Sequence, residues 1–355
     1  MAYTTIDDPS AHHQAVLYTG AGNNSSVTFG GNSNLQVDWL WVKRRDSANN
    51  SKVFDTSRGM GSGDEPYFTT ISAEKEQTYG YLTSVDSDGF TWDNVDNSVG
   101  TSSNTYVAWG WKANGGTRTT FTESSNNPGG GYQANTTAGF SIVDYTGTGG
   151  NGTVSHGLGA VPTMMMIKNR DQDDDWVVYF EALGNTKAMF LNNTDPVYTL
   201  TDLFNSTTPT SSVFTVGTND RTNADGEKYI AYCFAPIKGY SSFGQYKGNG
   251  DADGTFIYTG FKPAFVLTMD TDTSSKNRYQ FDIARNPFNV HDDLIAPNLN
   301  NAEDSGTGTY LDFLSNGFKM RQDFSHMNAS NSVQVYWAFA HSPFVSSGGV
   351  PTTAV

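Results

Sequence analysis

The stretch Tyr106-Val107-Ala108-Trp109-Gly110-Trp111 constrains this chain more than any other, because degraded copies of it recur as Tyr229-Ile230-Ala231-Tyr232-Cys233-Phe234 and Gln334-Val335-Tyr336-Trp337-Ala338-Phe339. The second, fourth and sixth positions are Val/Trp/Trp, Ile/Tyr/Phe and Val/Trp/Phe, whereas the positions between them are mostly small. A side-chain period of two puts the bulky set on one face of a strand. Each copy therefore predicts a strand with a heavy face in a core and a slim face against another layer. Trp109 and Trp111, Tyr232 and Phe234, and Trp337 and Phe339 are expected to be equivalent core positions, the markers of a repeat.

Each copy closes a block that opens on a strand running into a glycine turn: Val16-Leu17-Tyr18-Thr19-Gly20, then Ile142-Val143-Asp144-Tyr145-Thr146-Gly147, then Phe243-Gly244-Gln245-Tyr246-Lys247-Gly248. From Tyr18 to Trp111 is 93 positions, from Tyr145 to Phe234 is 89 and from Tyr246 to Phe339 is 93. Spacing this even predicts three copies of one fold unit. Between the markers lie apolar strands, Val37 to Arg45, Pro162 to Arg170 and Phe261 to Met269, together with shorter strand material. With 37 glycines and only 16% charged residues, the chain has the composition of many short strands joined by polar turns. The expected fold is all-β, a tandem of antiparallel β-sandwich repeats of the jelly-roll or lectin-like kind. The expected boundaries are an N-terminal arm at 1–15, repeats at 16–115, 139–238 and 239–345, a Gly/Asn-rich linker at 116–138 and a tail at 346–355. The long polar connections near 60–78, 184–210 and 286–309 are where interfaces or binding surfaces are expected.

A formal charge of -15 argues against nucleic acid and anionic membrane as partners. The lone Cys233 lies within a strand motif, so it reads as a small buried hydrophobe. The polar start after Met1 predicts no signal peptide, and no apolar run is long enough to span a bilayer. The arm, together with sandwich edges that need cover, predicts a homo-oligomer, most simply a trimer.

Trp39-Leu40-Trp41-Val42-Lys43-Arg44-Arg45, Phe54-Asp55-Thr56-Ser57-Arg58-Gly59, Ser87-Asp88-Gly89-Phe90 and the first closing motif, with Ala2 to Ala11 and Tyr18-Thr19-Gly20 before them, resemble a family of repeat-bearing virion proteins of marine tailed phages. Gly139-Phe140-Ser141-Ile142-Val143 and His156-Gly157-Leu158-Gly159 are similar to that family's second repeat. The resemblance covers residues 1 to about 240. It implies a place in the virion, as a capsid decoration or a tail or fibre component in contact with other virion proteins.

No catalytic, cofactor-binding or metal-ligating constellation stands out, and the chain is expected not to be an enzyme. The acids Asp171, Asp173, Asp174 and Asp175 do not match a calcium loop and read as a solvated turn. His12, His13, His156, His291, His326 and His341 are scattered, and His156 beside Gly157 reads as the lock of a turn. Asp55, Glu181 and Asp282 stand at related strand ends, which leaves a polysaccharide depolymerase as a lesser alternative. The simpler use of such an acid is a charge-assisted bond to a turn or, for Asp55, to Arg58. The basic ends Lys43-Arg44-Arg45 and Lys168-Asn169-Arg170 are expected to meet acids of a neighbouring block or subunit. Tyr67, Tyr79, Tyr81 and Tyr198 lie in or beside irregular segments, where three uses are open: subunit contact, stacking on a host-surface glycan as in an adhesin, or ordinary loop packing.

Overall fold

The computed structural model describes residues 3–306 and 308–352. Among these residues the helical pieces are four residues or shorter, and all sheets are antiparallel. The fold is all-β. Twelve strands define its plan: β1 (His13–Thr19), β2 (Trp39–Arg44), β3 (Lys52–Asp55), β4 (Thr105–Trp111), β5 (Phe140–Thr146), β6 (Met164–Asn169), β7 (Val177–Phe180), β8 (Lys228–Phe234), β9 (Ser241–Lys247), β10 (Phe261–Asp270), β11 (Tyr279–Asp282) and β12 (Val333–Pro343). They pair in the orders β1-β4-β2-β3, β5-β8-β6-β7 and β9-β12-β10-β11. One strand order thus occurs three times, with the closing motif (β4, β8, β12) always second.

Register makes the repeat exact to the residue. Trp39 pairs with both Asp55 and Trp111, Met164 with Phe180 and Phe234, and Phe265 with Asp282 and Phe339. The second unit's counterpart of Asp55 and Asp282 is therefore Phe180, and not Glu181, which begins the short turn Glu181–Leu183. The sequence alignment of strand ends was one residue out, because Phe180 carries no charge to mark the position.

Each unit adds a smaller sheet: Ser25–Val27, Gly89–Trp92 and Leu82–Asp86 in the first, Gly152–Ser155 with Val213–Val216 in the second, and Phe256–Tyr258, Gly317–Met320 and Leu311–Leu314 in the third. Leu40, Val42, Tyr106 and Ala108 of the first large sheet share an apolar cluster with Val27, Phe90 and Trp92 of its small sheet. Val143, Met165, Tyr229 and Cys233 do the same with Val154, Phe214 and Val216. The slim face of the closing strand is the one that meets the small sheet. A Cβ on Gly110 would lie 2.5 Å from the Phe29 ring, so close approach of that layer requires glycine there.

The heavy faces point the other way. Val107, Trp109, Trp111, Ile230, Tyr232, Phe234, Val335, Trp337 and Phe339 all belong to one cluster that runs through the middle of the molecule. Trp39 stacks on Tyr232 at 4.8 Å, Trp111 meets Phe339 at 5.6 Å and Phe234 meets Phe339 at 5.8 Å. The expectation placed these six marker residues in the cores of three separate sandwiches. They lie instead in a core shared by the three units, because each closing strand has a second apolar face left over after its small sheet is packed. Burying each such ring contributes about 1.5–3 kcal/mol, and no unit can do so alone.

Two boundary expectations change. Residues 116–138, read as a linker for want of apolar periodicity, contain the strands Thr119–Phe121 and Gly129–Asn135. Gly129–Asn135 pairs along the whole of β5, a role that main-chain hydrogen bonds fill without apolar side chains. The arm orders against the chain itself: Tyr3 Oη donates to Gly260 O of the third unit at 2.9 Å, Thr4 Oγ1 to Lys238 O between β8 and β9 at 2.9 Å, and Ile6 enters the central core.

Candidate functional site

The long connections expected to carry interfaces lie at the seams between units. In each, a main-chain N–H reaches the residue after the next unit's long strand: Glu76 donates to Arg170 O at 3.1 Å, Val197 to Thr271 O at 2.9 Å and Glu303 to Arg45 O at 2.9 Å. Around this common anchor two of the three seams carry the same buried ionic chain.

In the seam from the first unit to the second, Arg58 Nε donates to Asp55 at 2.5 Å with both side chains fully buried, and Arg58 Nη1 reaches Glu76 at 3.3 Å. Glu76 also accepts two bonds at 2.8 Å from Arg170 of the second unit, and Tyr232 Oη donates to Asp55 at 2.6 Å. The seam from the third unit to the first repeats this ionic chain, with an indole N–H in place of the tyrosine hydroxyl. Arg285 Nε donates to Asp282 at 2.6 Å, Arg285 Nη1 reaches Glu303 at 3.3 Å, Arg45 of the first unit grips Glu303 at 2.7 Å, and Trp109 Nε1 donates to Asp282 at 3.0 Å. The geometry follows from local structure. Asp55 and Asp282 end their strands and accept the N–H of the residue three later, a turn that carries the arginine back over its own strand to a carbonyl, Val53 O or Gln280 O.

Lys43 and Lys168, equivalent on β2 and β6, cross the same seams: Lys43 Nζ donates to Asn300 O at 2.9 Å and Lys168 Nζ to Ala73 O at 3.1 Å. Among the described residues the seam from the second unit to the third has no such ionic chain. Phe180, Leu183, Val197, Met269 and Thr271 occupy the positions of Asp, Arg, Glu, Lys and Arg, and Leu183 and Val197 pack against the central core. Trp337, the counterpart of Trp109, keeps an indole N–H without a hydrogen-bond partner among the described residues. Arg278 holds this seam through the carbonyls of Phe190 at 3.2 Å and Asp195 at 2.6 Å.

Burial opposes ionisation of Asp282, but the Arg285 charge and the bonds to it outweigh burial, and the carboxyl sits below its ordinary range. Burial holds Lys43 and Lys168 down at about 8; for Lys168 the charges of Asp174, Asp173 and Asp175 oppose it. A folded value below the ordinary 10.5 means that the unfolded chain binds more protons between pH 8 and 10.5, so stability rises with pH across that window. Relative to Lys43→Met, which copies Met269, the wild type is expected to gain about 2 kcal/mol between pH 7.5 and 9.5. Denaturant midpoints at the two pH values measure it, and an unchanged difference would refute the assignment.

The expected pairing of the basic strand ends is with neighbouring units for Arg45 and Arg170, while Arg44 pairs locally with Asp46 at 2.5 Å. Asp55 and Asp282 are each buried and tied to an arginine. His156 locks its turn, accepting from Leu158 N at 3.2 Å and bonding Thr210 O at 3.1 Å. Asp171, Asp173, Asp174 and Asp175 accept from Lys228 N, Lys75 N, Asn169 and Asn192, and among the described residues no His, Cys, Asp or Glu group is arranged to hold a metal.

Three of the four singled-out tyrosines come together. Tyr81 touches Tyr79 at 4.5 Å and Tyr67 at 5.4 Å, and the Lys52 ammonium lies 3.8 Å above the Tyr67 ring. Tyr81 is only 3% exposed, so as a surface residue it is corrected: it lies in the first unit's core, with Oη on Asp96 at 2.9 Å. Tyr79 is exposed, as is Tyr198, which rests on Phe190 at 5.1 Å.

The roles of Glu76 and Glu303 escaped the sequence reading although a signal was there. Asp-x-x-Arg followed by Glu eighteen residues after the arginine occurs at both Asp55/Arg58/Glu76 and Asp282/Arg285/Glu303. No curated protein and no solved structure matches the chain. A family model described as a domain of unknown function, DUF7483, matches residues 8–343, and the chain belongs to that family.

Proposed function

We propose that this protein is a non-enzymatic structural component of a phage virion, a capsid decoration or a tail or fibre part, built from three small two-layer β-sandwiches. The observation that carries the reading is where the buried charge goes: the carboxylates and arginines of two seams are used up in holding one unit to the next around a common aromatic core. Such an arrangement puts the buried charge to structural use. The resemblance to marine phage virion proteins supplies the setting, and self-association as a trimer beside other virion proteins is part of the proposal. A second reading, a host-glycan adhesin, is favoured by the exposed Tyr79 on the tyrosine cluster and by Tyr198, flat faces of the kind sugars stack on.

An electron-microscopy map of the intact particle tests the proposal. The expected result is density for this fold at a regular position, with copies about a threefold axis. A particle that carries no such density would overturn the structural role. Isolated single copies would overturn the trimer, and density confined to the distal end of the tail would favour the adhesin.

A further inference from the structure

We infer that the first unit is the least firmly held of the three, the one that parts from the fixed pair of the second and third and opens first. Both ionic seams belong to it. Its Glu76 is gripped by Arg170 of the second unit, and its Arg45 grips Glu303 of the third. The remaining seam, between the second and third units, has no ion pair across it among the described residues. Parting two apolar surfaces exposes them to water. Parting a charge-assisted chain lets water solvate the same carboxylates and guanidinium groups, which offsets much of the lost bonding. The three units present equivalent strands to the central core, so the seams decide which unit parts first.

The covalent connections agree. Only the residues between Phe234 and Ser241 join β8 to β9, a short tie between second and third units. The first unit is joined to the second through the longer stretch 112–139, whose hairpin stays with β5. The arm before β1 is bonded to Gly260 of the third unit through Tyr3, to Lys238 in the β8–β9 connection through Thr4 and to Ser347 of the tail through Asp7, so it serves as the other tether. The charged groups around the two seams are Asp55, Arg58, Glu76, Lys168, Arg170 and Asp173–Asp175 on one side, and Lys43, Arg45, Lys262, Asp282, Arg285, His291, Asp293 and Glu303 on the other. Opening would uncover Trp39, Trp109 and Trp111.

Native-state hydrogen exchange read by mass spectrometry on the full chain tests this, with the Glu76→Gln/Glu303→Gln variant beside the wild type. The expected result is that strand amides of 13–111 exchange together and ahead of those of 140–234 and 241–343. The variant should speed the first unit's exchange about tenfold or more while leaving the other two unchanged. The inference is overturned if the wild type exchanges all three units in one step, if the second or third unit exchanges first, or if the variant speeds all three alike. The wild-type order stands as a test even where the variant does not fold.

Discussion

Replacing Asp282 by alanine is expected to destabilise the protein by about 3–5 kcal/mol, the cost of breaking a buried ion pair from one side. Asp282 and Arg285 are both fully buried, and the substitution leaves the guanidinium with only carbonyls and the more distant Glu303 while taking the acceptor from Trp109. The double replacement Asp282→Phe with Arg285→Leu is expected to recover most of the loss. The protein already contains that solution: Phe180 and Leu183 stand at these positions in the second unit, the first buried in the same core and the second half-buried against it. A buried ion pair owes little net stability to its charges once desolvation is counted, but half of one is worse than none. Denaturant midpoints at constant slope measure both variants. A double variant no more stable than the single would mean that the ionic seam is held by its charges rather than by filling its space.

Much of the plan was legible because it rests on side-chain periodicity. The alternation Val107, Trp109, Trp111 against Tyr106, Ala108, Gly110 states in the sequence that β4 has two different faces, and the spacing of its copies states that the unit is repeated. What periodicity cannot state is which layer each face meets. A heavy face reads the same whether it packs on its own small sheet or on two neighbouring units, and for that reason the markers were placed in three cores. The strand Gly129–Asn135 was illegible for a related reason: it is defined by main-chain pairing with β5, and its Gly130, whose Cβ would lie 2.0 Å from Asp144 O, is selected for absence of a side chain. Tyr81 was misplaced because a tyrosine beside glycine in an irregular stretch resembles a surface residue until its hydroxyl finds Asp96. The seams were half legible. Arg45 and Arg170 announced themselves as strand-end cations, but their partners Glu303 and Glu76 lie far away in sequence on polar loops, where one acid looks like another.

Trp109→Ala is expected to cost more than Trp337→Ala, although the two side chains occupy equivalent positions. Both substitutions empty a large volume in the shared core, which for a buried tryptophan costs about 3–5 kcal/mol. Trp109 Nε1 also donates to the buried carboxylate of Asp282, whereas Trp337 Nε1 has no acceptor among the described residues, Phe180 standing where the aspartate would be. The first variant therefore adds the loss of a charge-assisted hydrogen bond, worth about 1.5–3 kcal/mol, and the second leaves no polar group stranded. The core that both share is also what joins the units. Calorimetry on the wild type should give one transition, since no unit buries its heavy face alone, while Trp109→Ala should split it, the first unit melting below the other two. Equal costs for the two variants would mean that Asp282 is satisfied by Arg285 alone. A single transition retained in Trp109→Ala would place the coupling between units in the seams rather than in the aromatic centre.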